Sequence, residues 1–188
     1  MKRIFIAINL PKKIKKELVK KREEIRANFE TDPINWVAEE NLHITLAFLG
    51  SIKGLMLKEI ERELQKIELS SFQFNLDNVE YIPSRKEAKM IWSTGSGKKI
   101  NKLKETVDGL LRSIERLKYS PNSRSFRPHV TLGRVRSFQF KKQPLEEIPL
   151  LEDEFVDLVF NIESVDIMES KLKSSGAEYK KIKIIKLN

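Results

Sequence analysis

Both histidines of the chain stand in one four-residue pattern, His43-Ile44-Thr45-Leu46 and His129-Val130-Thr131-Leu132. The chain holds five threonines and 21 leucines in 188 residues. Composition would then place Thr and Leu two and three positions after a given histidine roughly three times in a thousand, and after both on the order of once in a hundred thousand. The repeat therefore constrains the fold. Alternation of polar and apolar residues marks a half-buried strand, in which residues i and i+2 share a face. Each histidine must share its face with a threonine hydroxyl, while Ile44, Leu46, Val130 and Leu132 turn into a core. A chain that carries such a strand twice is expected to bring the two polar faces together.

The remaining segments arrange themselves around these strands. Residues 4 to 10 form an apolar run after Lys2-Arg3, ending in Pro11-Lys12-Lys13. With no small-residue cleavage site, that run reads as a buried first strand rather than a leader. Pro11 suits the opening turn of a helix, and Ile14, Leu18, Ile25 and Phe29 share one face of it, to about residue 29, before Thr31-Asp32-Pro33 ends it. A short strand at Trp36-Val37 and a longer one over 42–49, closing at Gly50, are expected next. A helix over 55–68 has Met56, Ile60, Leu64 and Ile67 as its buried stripe. Strands over 72–82 and 88–94 follow. The clearest helix carries Ile100, Leu103, Val107, Leu110, Leu111, Ile114 and Leu117 at helical spacing. A loop at 120–125 leads to a strand over 126–136, and 143–154 reads as loop with about one helical turn. Two last strands are expected at 157–169 and 177–187.

Each half thus holds a long amphipathic helix and a His-bearing strand, with no flexible linker between them. The expected fold is α+β: a single bilobal domain over 1–188, its two pseudo-symmetric lobes made of antiparallel sheets with helices packed outside and a central catalytic groove. Hydrophobic residues make up 40% of the chain, enough at this length for a core without disulfide or metal staples. Cysteine is absent, which excludes disulfides, zinc ribbons, iron–sulfur clusters and a thiol nucleophile. Lys and Arg number 36 against 27 Asp and Glu, a net charge of +9. That excess favours a polyanionic partner, although a Lys/Glu/Ile-rich chain from a heat-adapted organism would share it. No apolar run reaches membrane-spanning length, and a monomer in the cytoplasm is expected.

Two imidazoles and two hydroxyls on one polar surface have a clear chemical use. Imidazole titrates near neutrality, so one ring can accept a proton while the other donates. The hydroxyls of Thr45 and Thr131 can donate to non-bridging phosphate oxygens as charge develops. A zinc site is the competing reading, but catalytic zinc takes three protein ligands, and neither His-x-Glu nor Glu-x-x-His stands beside these histidines. No metal or cofactor is expected.

The stretch Trp36-Val37-Ala38-Glu39-Glu40-Asn41-Leu42-His43-Ile44-Thr45-Leu46-Ala47-Phe48-Leu49-Gly50 resembles the first motif of the two-histidine (2H) phosphoesterases, and more narrowly that of RNA 2′,3′-cyclic phosphodiesterases, also called 2′-5′ RNA ligases. Phe126-Arg127-Pro128-His129-Val130-Thr131-Leu132-Gly133-Arg134 resembles their second motif. Phe5-Ile6-Ala7-Ile8 is similar to their first strand, and Ser170-Lys171-Leu172 with Gly176 and Tyr179 to their C-terminal hairpin. The resemblance implies a metal-free phosphodiesterase that hydrolyses a terminal 2′,3′-cyclic phosphate on RNA to a 2′-phosphate, with a reverse 2′-5′ ligation. It implies His43 as proton donor and His129 as proton acceptor, roles that the near-identical motifs do not assign by themselves. Arg134 matches a phosphate-contacting position, although five residues after His129 it has the wrong strand parity unless Gly133 supplies a bulge. Phe48, at the corresponding place in the first motif, is expected in the core. Arg127 is a weaker phosphate candidate. Trp36 and Tyr179 could stack on a base, Trp36 more naturally as a buried anchor. RNA ends bearing 2′,3′-cyclic phosphate, tRNA fragments among them, are the implied partners. Small cyclic nucleotides, 2′-5′ oligonucleotides and a non-catalytic RNA-binding module are the alternatives.

Overall fold

The apolar run near the start of the chain forms strand β1 (Lys2–Asn9), buried from Ile4 through Ile8 and therefore covered on both faces. A computed structural model describes residues 1–121, 125–151, 155–173 and 176–188. After Pro11 comes α1 (Lys12–Ala27), which buries Ile14, Leu18 and Ile25. Then follow β2 (Ile34–Trp36), β3 (His43–Ile52) and α2 (Gly54–Leu64). The second half contains β4 (Phe72–Ile82), β5 (Met90–Thr94), α3 (Lys98–Arg112), β6 (His129–Val135) and the single turn α4 (Ser137–Phe140). The chain ends in β7 (Phe155–Ile162), β8 (Ser164–Lys173) and β9 (Gly176–Lys186).

All strand pairings are antiparallel, in the order β7-β4-β5-β6-β3-β1-β8-β9, with β2 on the same edge of β6 as β3. The expected α+β class and its two lobes are observed. One lobe is β3-β1-β8-β9 and the other is β6-β5-β4-β7. Their strands meet at one backbone pair, Ile44 opposite Val130, so the two lobes make one continuous curled sheet. The arrangement repeats a β–α–β unit. In the first copy α1 lies between the paired strands β1 and β3, and in the second α3 lies between β5 and β6.

One face of the sheet and the helices share the main core. Ile44, Val130 and Leu132 meet Leu18, Ile60, Leu64, Leu103, Val107 and Leu111, all fully buried. Each such aliphatic side chain contributes about 1.5–3 kcal/mol by leaving water. α1 reaches across to β7 of the second lobe and α3 to β3 of the first. On the opposite face lies a separate small cluster, Phe5, Ala7 and Met168 with Tyr179 against it. Among the described residues no helix is long and apolar enough to cross a membrane.

Several element boundaries depart from the pattern-based layout, among them the ends of α2 at Leu64 and α3 at Arg112, short of the stripes read to Ile67 and Leu117. The strand expected over 157–169 is two strands, β7 in the second lobe and β8 in the first, with Glu163 at the crossing. β3 continues past Gly50, whose φ of 72° admits glycine without strain, to Ile52. β6 begins only at His129, because Pro128 has no N–H to donate to a ladder.

Candidate active site

The two histidine strands are built alike. In β3 the sequence of burial from His43 to Phe48 is half-buried, buried, half-buried, buried, buried, exposed, and β6 repeats it from His129 to Arg134. Two buried residues in a row mean a bulge. The pairing of β1 with β3 slips between Ile6–Ala47 and Ala7–Thr45, leaving Leu46 as the extra residue. That of β5 with β6 slips between Ile91–Gly133 and Trp92–Thr131, leaving Leu132. Each bulge reverses the parity beyond it. Around the joining pair Ile44–Val130, antiparallel direction sets His43 on the side of Thr131 and Thr45 on the side of His129. Imidazoles and hydroxyls therefore alternate across one polar surface.

Each imidazole is tied to the backbone through one nitrogen. His43 Nδ1 lies 2.6 Å from the Asn41 carbonyl oxygen and His129 Nδ1 lies 2.8 Å from that of Arg127. A carbonyl only accepts, so Nδ1 carries the hydrogen in both rings and the neutral lone pair is on Nε2. His43 Nε2 is 3.0 Å from Thr45 Oγ1. Burial drives the pKa of His43 down to about 4; the Asn41 carbonyl opposes this, and the charges of Lys15, His129 and Arg134 add to it. Burial also lowers the pKa of His129, against the pull of the Arg127 carbonyl and with the Arg127 charge. The mutual influence of these groups places His43, His129 and Arg134 in one electrostatic neighbourhood.

The strand beside each histidine strand adds a matching polar tier. Asn9 pairs with His43 and Thr94 with His129. Asn9 Nδ2 donates to Asp166 at 2.7 Å, and Thr94 Oγ1 donates to Glu80 at 2.9 Å. Each carboxylate also holds a cation, Lys181 at 2.7 Å from Asp166 and Arg127 at 2.5 Å from Glu80. Among the described residues, no three His, Cys, Asp or Glu side chains converge as metal ligands do.

Residues 8–92 match the family described as LigT-like phosphoesterases. A relative from Methanocaldococcus jannaschii named RNA 2′,3′-cyclic phosphodiesterase is 29% identical over 182 residues, covering 96% of this chain and 98% of its own. The chain is thus similar to LigT-like phosphoesterases in its first half and to relatives named RNA 2′,3′-cyclic phosphodiesterase over nearly its whole length. A Thermotoga maritima protein of the same name is 27% identical, covering 95% of this chain and 91% of its own. Among solved structures, the TT0787 protein of Thermus thermophilus superposes with a TM-score of 0.82 at 22% identity, over 98% of this chain and 97% of its own. Escherichia coli LigT in complex with 3′-AMP gives 0.77 at 22% identity, over 99% and 98%. At such identities the structural likeness is one of fold.

His43 and Thr45 on β3 and His129 and Thr131 on β6 share one face of the curled sheet, and parity beyond the bulge sets Arg134 on that face too. Arg134 reaches that face through the bulge at Leu132, one residue before the expected position. Gly133 serves another purpose, because a Cβ there would come within 2.4 Å of Ile34 Cγ2 and 3.0 Å of Trp36 Cε3, so glycine lets β2 close onto β6. The expectation of a core Phe48 is corrected. The bulge at Leu46 turns it to the groove side, where it is 75% exposed with its ring 6.2 Å from that of Phe5. Trp36 is an anchor, half-buried, its Nε1 donating to Asp32 at 3.0 Å. Tyr179 stands edge to face with His43, ring centres 5.3 Å apart. Missed in the sequence were Asn9, Asp166 and Trp92. The signal for Asp166 was a lone acid inside the apolar run Val165–Met168; Trp92, in an apolar strand, carried no mark of the face it occupies.

Proposed function

We propose that this protein opens the 2′,3′-cyclic phosphate at RNA ends, leaving a 2′-phosphate, with His43 as proton donor and His129 as proton acceptor. The observation that carries the reading is the matched pair of imidazoles, each with Nδ1 committed to a carbonyl, so that Nε2, which in His43 lies 3.0 Å from Thr45 Oγ1, is the nitrogen that exchanges the proton. Nε2 of His129 takes a proton from water as the water oxygen bonds to phosphorus. The P–O3′ bond breaks, and O3′ receives the proton from Nε2 of His43. Thr45, Thr131 and Arg134 donate to the non-bridging oxygens as their charge grows. The surroundings of His43 suit a donor. Burial and neighbouring cations make its imidazolium strongly acidic, and the negative phosphate enables it to hold a proton until the leaving oxygen needs one. With the 5′-hydroxyl of a second RNA in place of water, the same exchange joins the ends through a 2′-5′ linkage. The net charge of +9 supports a polynucleotide over a small cyclic nucleotide.

The test is single-turnover ring opening of a cyclic-phosphate-ended oligonucleotide in the presence of chelator, with His43→Ala and His129→Ala checked for folding by circular dichroism. Each substitution should slow the step by about 10²–10⁴-fold, and the double variant by much less than the product. A folded single variant that works at near wild-type rate overturns the mechanism. Wild-type turnover of cyclic mononucleotides alone would move the substrate to that class, and binding without turnover would make the protein an RNA-binding module.

A further inference from the structure

The two imidazoles differ in one respect that their shared motif conceals. The Trp92 indole lies flat on the His129 ring, with ring centres 3.6 Å apart and planes 14° from parallel. Among the described residues nothing comparable lies on His43, whose neighbours Phe5 and Tyr179 are tilted by 43° and 89° at ring-centre distances above 5 Å. β5 brings Trp92 to this place, because its register partner is Thr131, on the same face as His129. The indole Nε1 is buried and finds no hydrogen-bond partner among the described residues. An unpaired buried N–H is unfavourable, and phenylalanine or leucine would avoid it, so packing alone is a poor account of this tryptophan. What tryptophan adds over both is the broadest, most electron-rich face available to a cation.

We propose that Trp92 is a positioning residue for His129: its indole face fixes the plane of the imidazole, aims Nε2 into the groove and stabilises the imidazolium formed when His129 accepts a proton. The inference rests on the acceptor role given to His129 above, and it adds the device that makes the two histidines unequal. The other charged or titratable groups near His129 are Arg127 just before it, Glu80 across Trp92 on β4, and His43 with Arg134 along the groove. Arg127 and Glu80 form an ion pair with each other, which leaves the indole face as the main partner for a charge on this ring.

The chain has two histidines and two tryptophans, so imidazole ¹⁵N resonances can be followed without crowding while fluorinated tryptophan is incorporated. Fluorination drains the ring face but keeps its shape, and therefore preserves the fold. With Trp36→Phe as background, difluorotryptophan at position 92 should lower the pKa of His129 by about 0.4–1.5 pH units, the span of a cation–π contact. His43 should move far less. Trp92→Leu should shift His129 in the same direction and carry the alkaline limb of kcat/KM down with it, lowering kcat more than it raises KM. A His129 titration that stays put or rises on fluorination overturns the proposal. Because that readout needs no substrate, it separates failure of this inference from failure of the proposed reaction. If the titration shifts as expected while His129→Ala remains active, the positioning stands and the catalytic role falls.

Discussion

Replacing His43 with Gln should remove a pH-dependent part of the protein's stability, and the size of that part follows from the site. Burial first, then the charges of Lys15, His129 and Arg134, hold the native imidazole at about 4 against an ordinary 6.5, with the Asn41 carbonyl opposing them. Between those values the unfolded chain binds a proton that the native protein refuses. The contribution is therefore fully present above pH 6.5, declines as the pH falls, and is lost once the pH passes through about 4. A gap of about 2.5 pH units at 1.36 kcal/mol each corresponds to about 3 kcal/mol, a large fraction of the stability of an ordinary domain. Urea unfolding of wild type and His43→Gln at intervals from pH 4 to 8 measures it. Titrations common to both proteins cancel in the difference, which should shrink by about 3 kcal/mol towards the acid end. A difference that stays flat, or grows on acidification, would refute the claim that native His43 is held neutral.

The same pKa shifts place the pH profile: kcat/KM should be bell-shaped, with its acid limb near 4 and its alkaline limb below 6.5, as an initial-rate series would show. Arg134→Ala should raise KM for a cyclic-phosphate oligonucleotide by about tenfold, with a smaller change in kcat, since it removes a charged donor from the phosphate. Gly133→Ala should cost on the order of 1–3 kcal/mol in urea unfolding and perturb Trp36 fluorescence, because its methyl group meets Ile34 and Trp36. RNA affinity should fall steeply between low and physiological salt in a filter-binding series, and a flat response would point to a small-molecule substrate.

Strand parity carried most of what was legible beforehand. The alternation in His43–Leu46 and His129–Leu132 put four polar groups on one surface, and the helical spacing from Ile100 through Leu117 located α3, which stops sooner, at Arg112. Parity also marked the crossing at Glu163, since the buried positions change from Phe160 and Ile162 to Val165 and Ile167, a change visible in the sequence but read as one strand. The bulges were harder. Leu46-Ala47 and Leu132-Gly133 are pairs that either a bulge or plain alternation accommodates, and only the partner strand decides. Phe48 was misplaced for that reason. Trp92 escaped because its importance lies in contact with a residue 37 positions later, which no local pattern encodes.

The helices that reach across the lobes have a consequence for how the protein comes apart. Each lobe lends its helix to the other's strands, α1 to β7 and α3 to β3, so neither lobe can open without baring the apolar face of a helix that belongs to its neighbour. Two histidine strands joined by one backbone pair, Ile44 opposite Val130, therefore stay together less through that pair than through the crossed helices behind them, and the site is disassembled only when the whole core is.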